Sequence, residues 1–213
     1  MFDRHSSRRR SRRRRGLLPG RRVAPRNPVL AALGRADQAV LRALRTRGHF
    51  EPVETTMKAI GVAGEFAAVW AAIGALGAAV DGPRRGRWLA AAVTGPGAVG
   101  VNFLVKVAAG RQRPLIEEHP PLARAPTKLS FPSAHATSSV AGATALGRVD
   151  PDLRPAVFAL AAAICVGRPY LGMHYPSDVL AGAALGALLG SLVPGLARAA
   201  PTQTAPPDRT ATA

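Results

Sequence analysis

The sequence predicts an all-α fold: a polytopic membrane bundle of about five transmembrane helices, preceded by an amphipathic helix at the membrane surface. Hydrophobic residues make up 47% of the 213 residues, and charged residues only 19%. The apolar residues form five long stretches in series with few charges between them, which favours a polytopic membrane protein. A chain of this length suits one domain.

The N-terminal segment, residues 1–28, contains eleven arginines and a single acid, Asp3. Arginine, serine, glycine and proline offer almost nothing to bury, so we expect a disordered tail. Its charges are not followed by the apolar stretch of a secretion signal. A basic tail binds any polyanion, but the chain carries no recognisable nucleic-acid fold. We therefore expect anionic lipid head groups as its partner, and no specific nucleic acid.

Residues 29–47 mix apolar and charged side chains. This pattern favours an amphipathic helix on a membrane surface, and it carries too many charges to span a bilayer comfortably. The membrane-embedded domain is predicted to cover residues 29–197. Residues 198–213 are predicted to form a second disordered tail.

Five apolar stretches account for the predicted spans, because a helix crosses a bilayer in about 20 residues, with a range of about 17–25. They are residues 60–80, 88–107, 131–147, 155–167 and 179–197. The third and fourth are short and need helical extension into their flanks. In the last stretch, Gly182, Gly186 and Gly190 recur every four residues, a spacing that lets one helix face approach a neighbour closely. The proline-rich connector 109–130 is predicted to be a loop over the site.

The distribution of lysine and arginine predicts which side of the membrane each end occupies. With five spans, the N-terminal tail, the 109–130 connector and Arg168 share one side, which holds 22 of the 29 basic residues. The positive-inside rule places this side in the cytoplasm. If residues 29–60 also cross the membrane, the site faces outward instead.

Three cations are candidates for holding a phosphate group. Lys106 ends the second stretch, Arg113 follows it after six residues, and Arg168 follows the fourth stretch. A phosphate monoester carries about two negative charges near neutral pH, and arginine offers planar bidentate contacts to its oxygens. Any one of these cations alone could instead snorkel at a membrane interface.

The run Pro132-Ser133-Ala134-His135 opens the third stretch and predicts a helix N-terminus. Proline is favoured at the first helical position, and the unpaired N–H groups at that end attract an anion. Ser133 and the Ala134 amide are therefore candidate hydrogen-bond donors to a phosphate, and Ser133 is also a candidate helix cap.

His174 and Asp178 are four residues apart at the start of the last stretch, so they share a face if that segment is helical. A carboxylate that accepts one ring N–H leaves the other ring nitrogen free to attack phosphorus. Asp178 is the only acid between Asp152 and Asp208, and an acid at a bilayer edge needs a partner. We therefore predict that His174 and Asp178 form a pair.

Together these clusters resemble the signature of the type 2 phosphatidic acid phosphatase superfamily, whose members are mostly membrane-bound lipid phosphatases. The resemblance rests on Lys106, Arg113, Pro114, the 132–135 run, Arg168, His174 and Asp178. The pattern departs from the family at Ala134, where glycine is common, and at Gly167, where serine is common. Both residues are small, so neither departure removes a charged or nucleophilic group.

The resemblance implies a phosphoric monoester hydrolase in a multi-pass protein of a bacterial plasma membrane. It implies that His174 forms a phosphohistidine and that His135 protonates the leaving alcohol, with no metal or other cofactor. The stretches 129–138 and 172–179 look closest to short bacterial members that act on polyprenyl-linked phosphates.

Several alternatives remain open at this point. Undecaprenyl pyrophosphate, phosphatidylglycerophosphate and phosphatidic acid are other possible substrates. Vanadium haloperoxidases share the same constellation, so an oxidoreductase is a competing class, although those enzymes are typically larger and soluble. The sequence also leaves the oligomeric state open.

Overall fold

The computed structural model describes residues 27–193, and these residues form seven α-helices without a named β-strand. The helices are α1 Pro28–Thr46, α2 Glu51–Ala63, α3 Ala68–Val80, α4 Arg85–Ala109, α5 Ala134–Val149, α6 Arg154–Tyr170 and α7 Pro176–Ser191. The all-α prediction is therefore confirmed for this part of the chain. The two predicted tails lie outside the described residues, apart from Asn27 and Pro28.

Helix boundaries follow local signals in the sequence. Asn27 caps α1, because its side-chain oxygen accepts a hydrogen bond from the amide of Val29 at 2.8 Å. Pro28 is the first residue of the helix, a position that favours proline. Helix α4 ends at Gly110, which has a φ of +63°, a conformation that glycine adopts without a steric penalty. A helix is present at the predicted residues 29–47, and so is the predicted 109–130 loop. One antiparallel bridge between Gln112 and Leu129 ties the loop's ends together.

The first apolar stretch differs from the prediction of one continuous helix. Helix α2 begins earlier, at Glu51, and is separated from α3 by a break with a bend of 49°. Phe66 and Ala67 take positive φ angles of 51° and 63° at this break, which is uncommon for residues other than glycine. The apolar residues continue across the break, so hydropathy alone does not reveal it. Gly64, the C-cap of α2, is the residue in the sequence that indicates a helix end here.

Helix α5 lies at the centre of the bundle and packs against α3, α4, α6 and α7. The core between these helices is built from Trp70, Leu146 and Ile164, filled in by many buried alanines. The indole N–H of Trp70 donates to the hydroxyl of Ser139 at 3.3 Å, which satisfies a polar group inside the core. Because α5 is enclosed by its neighbours, it can carry a row of buried serine and threonine side chains.

The predicted close approach of the last helix is confirmed. Gly182, Gly186 and Gly190 are all buried and face α5. A Cβ atom built on Gly182 would lie 2.6 Å from the carbonyl oxygen of Ser133, and one on Gly190 would lie 2.6 Å from that of Ala141. Only glycine lets the two helix backbones meet at this distance.

The outer surface of the bundle exposes many large apolar side chains, on α3, α4 and α7 among others. Within residues 27–193, the segment Gly82–Ala109 is long and apolar enough to cross a membrane, and the bent α2–α3 pair is a second candidate if it counts as one span. Helices α5, α6 and α7 have 16, 17 and 16 residues, fewer than the usual span of about 20. The prediction of five spans is therefore not confirmed by helix length and composition.

Replacing Gly186 with alanine should destabilise the bundle, because the new Cβ would overlap the carbonyl oxygen of Thr137 and lie 3.0 Å from the amide nitrogen of Ala141. Such overpacking typically costs about 1–3 kcal/mol. Thermal unfolding in detergent, followed by circular dichroism, measures the effect.

Gly100→Ala is the matched control, since a Cβ there meets nothing within 4 Å and alanine suits a helix interior better by about 0.5–1 kcal/mol. Equal unfolding midpoints for the two variants would show that the contact between α5 and α7 tolerates a side chain.

Candidate active site

The structure brings the predicted site residues together at one end of the bundle, around a cavity of about 500 Å³. They come from the end of α4, the loop after it, the start of α5, the end of α6 and the turn before α7. Those that line the cavity are Lys106, Arg113, Ala134, His135, Arg168 and His174. Ser133 and Asp178 are fully buried and stand outside this lining.

His174 is held at both ring nitrogens. Its Nε2 lies 3.0 Å from Nη1 of Arg113, and its Nδ1 lies 3.3 Å from Oγ of Ser130. The Ser130 hydroxyl in turn donates to Oδ2 of Asp178. This network assigns the ring proton to Nδ1, and the lone pair on Nε2 accepts an N–H of Arg113.

The direct bond predicted between His174 and Asp178 is replaced by a bridge through Ser130. Nδ1 and Oδ2 are 3.7 Å apart, which is too long for a hydrogen bond. The reason lies in the start of α7, where Oδ2 of Asp178 also accepts the backbone N–H of Tyr175 at 2.9 Å. This capping contact holds the carboxylate at the helix end, and the serine hydroxyl fills the remaining gap.

Burial is the main influence on the pKa of His174, and it lowers that pKa from 6.5 to about 4. The neighbouring Asp178 opposes the shift, and the positive charge of Arg113 adds to it. The imidazole is therefore neutral at neutral pH. A neutral ring keeps the Nε2 lone pair that a nucleophile requires.

Two of the three predicted cations are held by backbone carbonyl groups. The Lys106 ammonium donates to the carbonyl oxygen of Pro132 at 2.7 Å and to that of Ser130 at 3.2 Å. Arg113 donates from Nη1 to the carbonyl of Met173 at 2.6 Å and from Nε to that of Thr127 at 2.9 Å. Neutral carbonyls fix these side chains in place without cancelling their charge.

Arg168 differs from the other two cations. It is 4% exposed, and its Nε and Nη2 atoms have no hydrogen-bond partner among the described residues. Its guanidinium packs against Gly61, where a Cβ would lie 3.2 Å from Cζ. A buried donor without a partner is costly, and an anion in the cavity would satisfy it.

The start of α5 has the predicted form. The Ser133 hydroxyl accepts the backbone N–H of Ala136 at 3.4 Å and so caps the helix, while the Ser133 amide donates to the carbonyl of Asp178 at 2.9 Å. His135 is the second residue of α5 and lies in the cavity wall. Its Nε2 atom is 3.2 Å from the carbonyl oxygen of Gly61 on α2. The N-terminus of α5 and its histidine thus face the same cavity as His174.

Sequence reasoning missed three residues of this network: Ser130, Arg111 and Asp37. Arg111 lies between the two predicted cations Lys106 and Arg113, and it contacts Asp178. Asp37 contacts Arg111 and was visible as the only acid between Asp3 and Glu51. An isolated acid in a basic segment was the signal that could have revealed it.

A helical bundle that gathers two histidines, two buried cations and the half-buried Arg113 around a cavity defines an all-α protein with an anion-binding site. Residues 85–200 match the family model of the PAP2 superfamily, which is just over half of the chain. The chain belongs to the PAP2 superfamily.

Two relatives carry the name decaprenylphosphoryl-5-phosphoribose phosphatase. The chain is 37% identical to the protein of Mycobacterium tuberculosis over 163 residues, which covers 75% of this chain and 89% of that protein. It is also 37% identical to the protein of Mycolicibacterium smegmatis over 152 residues, covering 70% and 82%.

Two crystal structures resemble the fold. The transmembrane PAP2 type phosphatidylglycerolphosphate phosphatase of Bacillus subtilis has a TM-score of 0.64 and 25% identity, covering 76% of this chain and 84% of that one. Aquifex aeolicus LpxE has a TM-score of 0.60 and 19% identity, covering 73% and 93%. The second likeness concerns the fold alone.

Proposed function

We propose that this chain is a membrane lipid-phosphate phosphatase that acts through a phosphohistidine, and that its substrate is decaprenylphosphoryl-5-phosphoribose. The observation that carries the proposal is the buried, unpaired guanidinium of Arg168 in the same cavity as the Nε2 lone pair of His174. An anion that satisfies Arg168 would occupy the cavity that His174 also lines. The substrate is inferred from the names of the two mycobacterial relatives. The chain covers 89% of the length of one and 82% of the length of the other.

The reaction needs a nucleophile, a proton for the leaving group and a water molecule. Arg113 turns from His174 Nε2 to a phosphoryl oxygen, the freed lone pair of Nε2 attacks phosphorus, and the bond from phosphorus to the ester oxygen breaks. His135 gives a ring proton to the leaving alkoxide. Ser130 and Asp178 hold the Nδ1–H of His174 while positive charge develops on the ring. Water then attacks the phosphohistidine and gives a proton to His135, which releases phosphate and restores both histidines.

The cations stabilise the negative charge of the phosphoryl group. Arg168, Arg113, Lys106 and the Ala134 amide at the start of α5 surround the cavity and would stabilise the phosphoryl oxygens without a metal. Ser133 supports this group as the cap of α5.

The rest of the cavity suits a lipid with a second negative group. Apolar side chains such as Phe66 and Phe103, both more than half exposed, form part of its wall. Two further cations, Arg124 and Lys58, also line it, and Lys58 lies 3.6 Å from a carboxylate oxygen of Glu54. A phosphoribosyl lipid carries a phosphodiester besides its phosphomonoester, whereas phosphatidic acid carries one phosphate only, so these extra cations favour the former. Undecaprenyl pyrophosphate and phosphatidylglycerophosphate remain candidates, since each carries two phosphates.

We further propose that the protein is multi-pass, with five spans and the site in the cytoplasm of a bacterial plasma membrane. The exposed apolar surface of the bundle supports a lipid surrounding. It also argues against the larger and soluble class of vanadium haloperoxidases. Helix α1 contacts Pro120, Tyr170 and Ser177, which all lie at the site end of the bundle. These contacts at the site end support a surface position for α1 over a sixth span.

Purified protein should release phosphate from decaprenylphosphoryl-5-phosphoribose without added divalent metal, because three fixed cations take the place that a metal would have. A panel of lipid phosphates, assayed with and without chelator, measures this. Activity lost to chelator and restored by magnesium would contradict the metal-free mechanism, and inactivity on every lipid phosphate would contradict the proposed class.

His174→Ala should abolish both phosphate release and the covalent intermediate, since the nucleophile is gone. His135→Ala should slow release by about 10²–10⁴-fold, the usual effect of losing a general acid. With a substrate whose leaving group needs no proton, the His135 variant should still form the intermediate. Acid-quench trapping of labelled phosphate tests this pair, and label on any residue other than His174 would refute the assignment.

Cysteine labelling tests the cytoplasmic site after Cys165 is replaced by alanine. Glu117 lies exposed in the loop over the site, and Gly82 lies exposed between α3 and α4. A single cysteine at Glu117 should resist a membrane-impermeant thiol reagent in intact cells, whereas one at Gly82 should react. The reverse pattern would place the site outside the cell and would require residues 29–60 to cross.

A further inference from the structure

We propose that Asp37 and Arg111 are positioning residues for the His174 nucleophile, so that helix α1 completes the active site. The proposal rests on the proposed function, because it assigns these residues to the same reaction. Both act through Asp178 and the start of α7, and neither lines the cavity.

Arg111 bridges two buried carboxylates. Its Nη1 atom donates to Oδ1 of Asp178 at 2.7 Å and to the hydroxyl of Ser177 at 2.7 Å. Its Nη2 atom donates to Oδ2 of Asp37 at 2.7 Å. The guanidinium also lies over the ring of Tyr175, with Cζ 4.1 Å from the ring centroid. This planar, many-donor geometry is specific to arginine.

Asp37 binds the same turn of α7 from the side of α1. Its Oδ1 atom accepts the backbone N–H of Ser177 at 2.9 Å, and its Oδ2 atom accepts the Ser177 hydroxyl at 2.6 Å. Ser177 directly precedes Asp178. A carboxylate on α1 therefore fixes the backbone that carries the Asp178 side chain.

The two carboxylate oxygens of Asp178 contact different partners. Oδ1 faces Arg111, while Oδ2 faces Ser130 and the amide of Tyr175. Asp178 is fully buried, and the imidazole nitrogen of His174 is 3.7 Å away. Without Arg111, the charge of Asp178 would have no cation within hydrogen-bond distance among the described residues, and the carboxylate would be drawn toward His174. The ring would then turn and move Nε2.

Helix α1 is anchored so that Asp37 reaches this position. Asp37, Leu41 and Arg45 follow at intervals of four, share one helix face and are all buried. Arg45 donates from Nη1 to the carbonyl of Tyr170 at 3.0 Å and from Nη2 to that of Pro120 at 2.7 Å. The helix thus holds the chain on both sides of His174, at Tyr170 and at Ser177.

A positioning role and a merely structural one predict different kinetics. If Asp37 and Arg111 only clamp α1 to the bundle, their loss lowers stability and leaves the turnover of the folded protein unchanged. If they orient His174, their loss lowers kcat with little change in KM, because a small displacement of a reacting group reduces the rate steeply. The rate of phosphoenzyme formation falls with kcat.

The experiment compares Arg111→Gln, Arg111→Lys, Asp37→Asn and the double variant Asp37→Asn/Arg111→Gln in the full chain. Phosphate release and single-turnover phosphoenzyme formation are measured with the lipid phosphate of the panel that the wild type hydrolyses fastest. The thermal unfolding midpoint of each variant is measured as well. Arg35→Gln and Asp152→Asn are the matched controls, since both replace exposed charged side chains that make no hydrogen bond or ion pair with the network around Asp178. These controls should keep the wild-type kcat.

We expect Arg111→Gln to lower kcat by about 10–100-fold, with KM within about twofold. Lysine should restore part of the loss, because it can contact one carboxylate but cannot bridge both. The double variant should be no slower than Arg111→Gln alone, since residues in one network are not additive. Wild-type kcat in Asp37→Asn and Arg111→Gln would overturn the proposal, and so would effects that multiply in the double variant.

Two further outcomes separate this proposal from the proposed function. If the wild-type chain releases no phosphate from any lipid phosphate, the function itself fails. If the wild type is active and the variants match it, only the positioning role fails. Should Arg111→Gln be too unstable to assay, Asp37→Asn decides, because asparagine keeps the shape of aspartate and can still accept the Ser177 amide.

Discussion

The contact between the first turns of α5 and α7 holds the site together. Gly182 lacks the Cβ that would overlap the Ser133 carbonyl, and the Ser133 amide donates to the carbonyl of Asp178 at 2.9 Å. The helix N-terminus that faces the phosphate position and the turn that carries His174 are thereby fixed relative to each other. Ser133 and His174, the proposed phosphate-binding cap and the proposed nucleophile, are some 40 residues apart in sequence, so their alignment depends on this backbone contact.

The distribution of charge follows from how the cations are held. Lys106 and Arg113 donate to backbone carbonyls, and Arg168 has two donors without a partner among the described residues. Asp178 is occupied by Ser130, Tyr175 and Arg111, and Asp37 by Ser177 and Arg111. Glu65 is the one acid in the cavity lining against five lysines and arginines, so the lining keeps a net positive charge. A dianionic phosphate group is the ligand that such a cavity favours.

Much of this arrangement could be predicted from the sequence, because the relevant signals are local. Hydrophobic stretches, capping residues and glycine spacing located the helices, and the spacing of cations and histidines located the cavity. Hydropathy alone could not predict the break at Phe66, since apolar residues continue through it. The Ser130 bridge could not be predicted either, because it depends on a 3.7 Å gap between His174 and Asp178 that capping of α7 creates.

The same reasoning explains why Asp37 and Arg111 escaped the sequence analysis. They are 74 positions apart, and each alone resembles an ordinary surface charge on a helix or loop. Only the fold brings them together beside Asp178. The face of α1 next to Asp37 carries exposed apolar side chains, Val29, Leu33 and Val40, which suit the surface of a bilayer. The phosphate of a lipid also lies at that surface, so in the proposed surface position α1 would hold the turn with His174 at the depth of a lipid phosphate.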